Sequence, residues 1–148
     1  MNQREESRAR GRDRRGMSLL EVIMVTIIVG ILASLTVPSF HRALEQSRAD
    51  VASANLRAIW SAQRLYWLEN RTYAPDLQTL YALDLLDPTV SVQTFYTFEI
   101  GSADASTFSA LAIRAGNGSW NGTLSIDQTG LIAGVLSSSG APDIVPSY

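Results

Sequence analysis

Few side chains in this sequence have a type and spacing that could do chemistry, and the most pointed of them is a carboxylate. Glu21 stands at the edge of an apolar block, with Met17, Leu19 and Leu20 before it and Val22, Ile23 and Met24 after it. An unpaired carboxylate in a membrane helix costs about 2.5–3.5 kcal/mol at the bilayer centre and less near the helix end. Glu21 is therefore either an interfacial residue that reaches the headgroups or an acid awaiting a cation. No lysine or arginine occurs between Glu21 and Arg42. A backbone cut between Gly16 and Met17 would create an α-amino group four residues before Glu21, on the same helical face. Proteolysis would then supply the missing positive charge.

The other reactive types lead to no catalytic arrangement. With no cysteine there are no disulfides, thiolate metal sites or cysteine nucleophiles. His41 is the only histidine and reads as a solvated boundary residue rather than a pH sensor. Asp76, Asp84 and Asp87 are explained as helix caps and solvated helix ends. Ser137, Ser138 and Ser139 lack the G-x-S-x-G setting of a nucleophile, and no phosphate loop occurs. Asp127 and Asp143 could ligate a cation with nearby carbonyls, but turn capping explains both, so no metal and no cofactor are assigned. Trp60, Tyr66, Trp67 and Tyr73 read as helix-to-sheet packing in preference to an electron-transfer or sugar-stacking set. The sequons at Asn70, Asn117 and Asn121 are short patterns with a high chance rate. The expectation is a protein that is not an enzyme.

The elements that must position Glu21 follow from charge and hydropathy. All 12 basic residues among the 148 are arginine. Six of them (Arg4, Arg8, Arg10, Arg12, Arg14, Arg15) lie in the first 16 positions against three acids, net +3, while the remainder carries −5. An acidic body argues against direct nucleic-acid binding, which needs clustered cations. From Val22 to Phe40 there are 19 residues without a charge. As a helix they reach roughly 28 Å, close to the hydrocarbon thickness of a bilayer. A soluble core helix and a cleaved secretory signal are weaker readings, because Ala33-Ser34-Leu35 is a poor signal-peptidase site. A retained single-pass helix with its arginine-rich front in the cytoplasm fits best.

Past Pro38, which should kink or loosen the helix, the pattern becomes amphipathic. Phe40, Leu44, Val51, Ala54, Ala58, Ala62 and Leu65 form the expected buried stripe, with Arg42, Glu45, Gln46, Arg48, Asp50, Arg57 and Arg64 on other faces. One helix is expected from about Ser18 to about Glu69. Asp76 is the expected N-cap of a short helix through Leu77, Leu80 and Leu83 that ends before Asp87-Pro88. Strands are expected at Val92–Ile100, Thr107–Ala115, Thr123–Asp127 and Leu131–Val135, with Asn-Gly turns at Asn117-Gly118 and Asn121-Gly122. The fold class is α+β, a long N-terminal helix on a three- to four-stranded antiparallel sheet. The tail from Ser137 to Tyr148 is expected to be irregular.

The string Arg15-Gly16-Met17-Ser18-Leu19-Leu20-Glu21, followed by an apolar helix with Pro38 near its end, resembles the class III signal of type IV prepilins and pseudopilins. The resemblance implies a pilin-like fold with a leader over 1–16, a transmembrane and assembly helix over 17–38, and a globular domain over 39–148. It implies cleavage by prepilin peptidase between Gly16 and Met17, N-methylation of Met17, and a role for Glu21 in assembly. Methionine stands where family members often have phenylalanine. The implied partners are the peptidase, identical and related subunits, the inner membrane and an assembly platform. The implied locations are the inner membrane, then a periplasmic pseudopilus or a surface pilus. A type II secretion pseudopilin is the neighbouring alternative, and an uncleaved membrane-anchored binding or sensing module is the alternative from another class. Pilins often carry a C-terminal disulfide, which this chain cannot form, and secretion pseudopilins often bind calcium, for which no clear loop is present.

Overall fold

The computed structural model of the chain describes residues 17–114 and 118–146, with residues 35–39 described in backbone alone. The chain divides into two units, one ending at Pro38 and the other running Ser39–Tyr148. Helix α1 spans Leu19–Asn70, within a residue of expectation at each end. Its hydrogen-bond ladder reaches back to Ser18, whose carbonyl accepts from the Val22 N–H at 3.1 Å. Arg71 closes the helix in the left-handed conformation, φ 57°, with its N–H donating to the Trp67 carbonyl.

In the second unit, α1 packs on a five-stranded antiparallel sheet whose spatial order is its chain order. The strands are β1 (Tyr96–Ala103), β2 (Phe108–Arg114), β3 (Trp120–Asp127), β4 (Ile132–Ser138) and β5 (Ala141–Ile144). Every connection is a local one, as a meander requires. The sheet thus has one strand more than expected. The fifth comes from the serine- and proline-rich tail: Gly140, at φ 90°, turns the chain, and β5 pairs Ile144 with Leu136 while burying Ile144. The unpaired edge of β4 offers the tail hydrogen bonds that local composition does not reveal. Asn121-Gly122, expected as a turn, lies inside β3. Gly122 sits at φ 148° opposite Leu136, where a Cβ would run into the Val135 carbonyl, so the glycine serves close strand approach.

The largest correction concerns the face of α1. Of the expected stripe only Ala62 is buried; Phe40, Leu44, Val51, Ala54, Ala58 and Leu65 are exposed. The buried row is Glu45, Ala49, Ala52, Ser53, Leu56, Ile59, Ala62 and Gln63. It keeps helical spacing but mixes alanines with one acid and one amide, so apolar character alone selects the wrong side. The small residues let the helix lie close to the sheet, which supplies the bulk through Phe98, Phe108, Leu124, Ile126 and Leu136.

Between helix and sheet, α2 (Leu77–Ala82) starts as expected on Asp76, whose carboxylate accepts from the Thr79 N–H at 2.8 Å. Leu77 and Leu80 face the core. Asp87 then caps a single 3₁₀ turn, Pro88–Val90, which is why β1 begins at Tyr96 rather than Val92. The loop after α1 is fastened by fully buried Gln63. Its amide donates to the Ala74 carbonyl at 2.9 Å and accepts from the Ala74 N–H at 2.8 Å. Both polar groups of a buried backbone unit are thereby satisfied by one side chain.

Candidate functional site

The candidate cleavage and assembly residues stand at the start of α1. Gly16 lies outside the described residues. Met17 and Ser18 precede the helix and Glu21 occupies its first turn, all three exposed. An acid in the first turn opposes the unpaired amide N–H groups there, a favourable placement. Behind it Val22, Ile23, Met24, Val25, Ile27, Ile28, Val29, Ile31 and Leu32 are all exposed, so within this unit the helix is apolar on every side and buried on none. Its two described hydroxyls are satisfied locally: Thr26 donates to the Val22 carbonyl at 2.7 Å and Ser34 to the Ile31 carbonyl at 2.8 Å. A Cβ added at Gly30 would meet nothing within 4 Å, so no packing among the described residues asks for glycine there. Among the described residues no helix is long and apolar enough to cross a membrane. The side chains of 35–39, and with them the expected role of Pro38, lie outside the described residues.

The second constellation was not visible in the sequence. Glu45, which patterning places on an outer face, is buried, and it takes Arg114 in a fork: Nε to Oε1 at 2.5 Å and Nη2 to Oε2 at 3.1 Å. Arg48, one turn on, donates to the same carboxylate at 3.0 Å. Arg114 also reaches the Phe95 carbonyl at 3.1 Å. The Arg48 and Arg114 guanidinium carbons lie 3.8 and 5.3 Å from the Phe95 ring centre. Burial pushes the Glu45 carboxyl up, but the hydrogen bonds from Arg114 and Arg48 and their charges outweigh it and hold it below the usual range. Tyr96, beside the pair, is pushed up to about 12 by burial and then by the Glu45 charge. The set holds no nucleophile and no group poised to exchange a proton near neutrality. Its chemistry is that of a clamp joining α1 to the end of β2. The signal for it was a lone acid in register with Ala49, Ala52, Leu56 and Ile59.

The remaining candidates disperse. His41 is exposed and meets only the Phe40 ring edge, with centroids 6.5 Å apart. The aromatic group packs helix to sheet, as expected: Trp60 donates to the Gln128 carbonyl, Trp67 to the Ala105 carbonyl, and Tyr73 stacks on Phe108. Asp127 serves its own turn through Thr129, and among the described residues no group of acids and histidines could hold a metal. Asp104 accepts from the N–H groups of Ser106 and Thr107 and from both hydroxyls, which holds its carboxyl far below the usual range.

Comparison with known proteins finds relatives of two kinds. No family model matches the chain. It is 28% identical over 109 residues to the type IV wide pilus major component PilA4 of Thermus thermophilus, a match covering 74% of this chain and 80% of that one. It is 27% identical over 145 residues to the type IV major pilin protein PilA of Myxococcus xanthus, covering 78% and 66%. It is 38% identical over 72 residues to the type II secretion system core protein G of Pseudomonas aeruginosa, covering 49% and 51%, so the match spans about half of that relative. These relatives are pilus and secretion-system components. With a long N-terminal helix laid on an antiparallel sheet, the chain is similar to type IV pilins and to the secretion-system core protein G alike.

Proposed function

We propose that this chain is a structural subunit of a type IV pilus-like filament. In this reading residues 1–16 are removed by prepilin peptidase, Met17 becomes the methylated N-terminus, and 17–38 form the membrane and assembly helix. The single observation that carries the reading is a helix apolar on all sides from Val22 to Leu32, with an acid in its first turn and no covering neighbour among the described residues. At about 25 cal/mol per Å² of apolar surface, such a helix must be covered by lipid or by other copies of itself. Membrane then filament supplies both environments in turn.

The new amine of Met17 pairs with Glu21 of a neighbouring subunit. Each charge is costly in an apolar bundle alone, and the pair sets the axial register while apolar packing supplies the cohesion. The bundle holds together by shape and dispersion, as small-residue positions such as Gly30 permit. A secretion pseudopilus is the second reading, favoured by the higher identity to core protein G over its 72 residues.

The test is the N-terminal residue of protein recovered from cells, by mass or sequencing, together with Glu21→Ala. The expected result is a chain beginning at methylated Met17. Glu21→Ala should be processed but left in the membrane fraction. Protein that works while still beginning at Met1, or normal filament yield from the variant, overturns this reading.

A further inference from the structure

Trp60 and Trp67 are tied inward by their indole N–H groups. Trp60 donates to the Gln128 carbonyl in the β3–β4 turn at 3.2 Å, and Trp67 to the Ala105 carbonyl in the β1–β2 turn at 2.8 Å. Both residues are nonetheless only half-buried, and both line one cleft of about 390 Å³ on the globular unit. Tyr73 completes the aromatic lining; its ring lies 6.4 Å from that of Trp67, tilted by 33°, and packs on Phe108 at 4.8 Å. Contacts inside the chain thus hold all three rings in place before any ligand arrives. The rest of the lining is polar. Arg64, exposed, lies over the Trp60 ring at 4.8 Å, and Gln128 and Thr129 stand in the turn beside it. A guanidinium supplies donors, while an amide and a hydroxyl supply both a donor and an acceptor. Rigid rings with a few convergent polar groups, at this volume, are the make-up of a small-ligand site.

Charge and spacing choose the ligand. Arg57, Arg64 and Arg71 lie along this stretch of α1 and pair with no acid among the described residues. Beside them are Glu69 on the same helix, Asp104 in the turn that receives Trp67, and Asp127 in the turn that receives Trp60. Three positive charges stand among three negative ones, so a polyanion such as single-stranded nucleic acid gains no net attraction here. A neutral polyhydroxylated ligand needs none. Trp60 and Trp67 are seven residues apart, which in a helix places them on one face about 10.5 Å apart. That is close to the two-sugar repeat of an extended β-1,4-linked chain of pyranoses, in which every second ring turns the same face the same way. The apolar C–H face of such a ring rests against an indole while its equatorial hydroxyls point outward around the rim. An α-1,4-linked chain coils and does not keep that repeat. Next to Gly130, which packs on the Trp60 ring, a second hollow of about 520 Å³ is lined by Arg57 and Leu131 and gives a chain room to extend.

We infer that the cleft of Trp60, Trp67 and Tyr73 is a binding site for a neutral, extended β-1,4-linked glycan, with Arg64 and Gln128 hydrogen-bonding its hydroxyls. The site lies wholly within the globular unit, so it holds whether or not the chain assembles into filaments.

The test titrates the full chain, in a detergent without a sugar headgroup, with cellohexaose and reads tryptophan emission and binding heat. Trp120 is buried in the sheet, so a change in emission reports Trp60 and Trp67. Saturable binding is expected, with maltohexaose about tenfold weaker or more. Trp67→Ala should weaken cellohexaose about tenfold. Because that indole also holds the Ala105 turn, Arg64→Ala gives a second reading. Its side chain is exposed and outside any described ion pair, and its loss should weaken binding about fivefold at unchanged melting temperature. No heat and no change in emission at millimolar cellohexaose overturns the inference. So does maltohexaose binding equally well, or an affinity untouched in both variants. Binding of oligothymidylate in place of cellohexaose, lost in Arg64→Ala, assigns the cleft to nucleic acid and overturns it too. None of these outcomes touches the filament reading, which the N-terminal residue and Glu21→Ala decide.

Discussion

Replacing Glu45 by glutamine tests whether the buried clamp is held by charge. The substitution keeps side-chain volume, leaves an amide oxygen to accept one hydrogen bond, and removes the negative charge. The Arg114 side chain is 5% exposed and the Glu45 side chain 2% exposed. Arg114 is then left as a buried cation whose remaining described acceptor is the Phe95 carbonyl. Breaking a buried pair in this way costs about 3–5 kcal/mol, the lower end applying here because the amide oxygen persists. For a globular unit of this size that is a fall in Tm of roughly 10–20 °C. The assay is thermal unfolding of the detergent-solubilised full chain by circular dichroism. The same scan on Glu45→Leu with Arg114→Met completes the argument. With neither charge present, desolvation is avoided and the double variant should recover most of the loss, a coupling of about 1–3 kcal/mol in the cycle. A loss below about 1 kcal/mol for Glu45→Gln would refute the reasoning, since that is what an exposed pair contributes.

Three further outcomes follow from the same geometry. Because the Glu45 carboxyl is held low in the folded protein, its stabilisation is complete above the ordinary carboxylate range and lost as pH falls through the lower folded value. Tm should therefore be level near neutrality and fall below about pH 4, less steeply in Glu45→Gln. Leu56→Ala should cost about 2–5 kcal/mol and Val51→Ala about 0.5 kcal/mol or less by denaturant titration, reversed in order if the expected stripe were the buried one. Gly134→Ala should cost about 2 kcal/mol or more, because the residue sits at φ 119° and a Cβ would strike the Thr123 carbonyl across the β3–β4 pair; a cost under about 0.5 kcal/mol contradicts that contact.

What could be read in the sequence and what could not divide along the range of the interactions. The extent of α1, the Asp76 cap and the hairpin of β3 and β4 depend on residues a few positions apart, and these were legible. The buried face of α1 was not. Two apolar rows run along the helix, and the one with larger side chains, Leu44, Val51 and Leu65, faces outward. The inward row is marked by Glu45 and Gln63, whose partners Arg114 and Ala74 lie 69 and 11 residues away. A polar residue in a core row counts against burial until its partner is known.

By itself the sequence determined a charge-free run behind an arginine-rich front, an acid at its head, and a helix followed by strands. These are properties of composition and local period, which survive without any fold. Only the tertiary structure decided that the tail is a fifth strand, that Glu45 and Arg114 meet, and that Arg57, Arg64 and Arg71 pair with no acid among the described residues. Each of these joins segments far apart in the chain. Such pairings are selected by the sum of burial and hydrogen-bond satisfaction over the whole domain, a sum no local window contains.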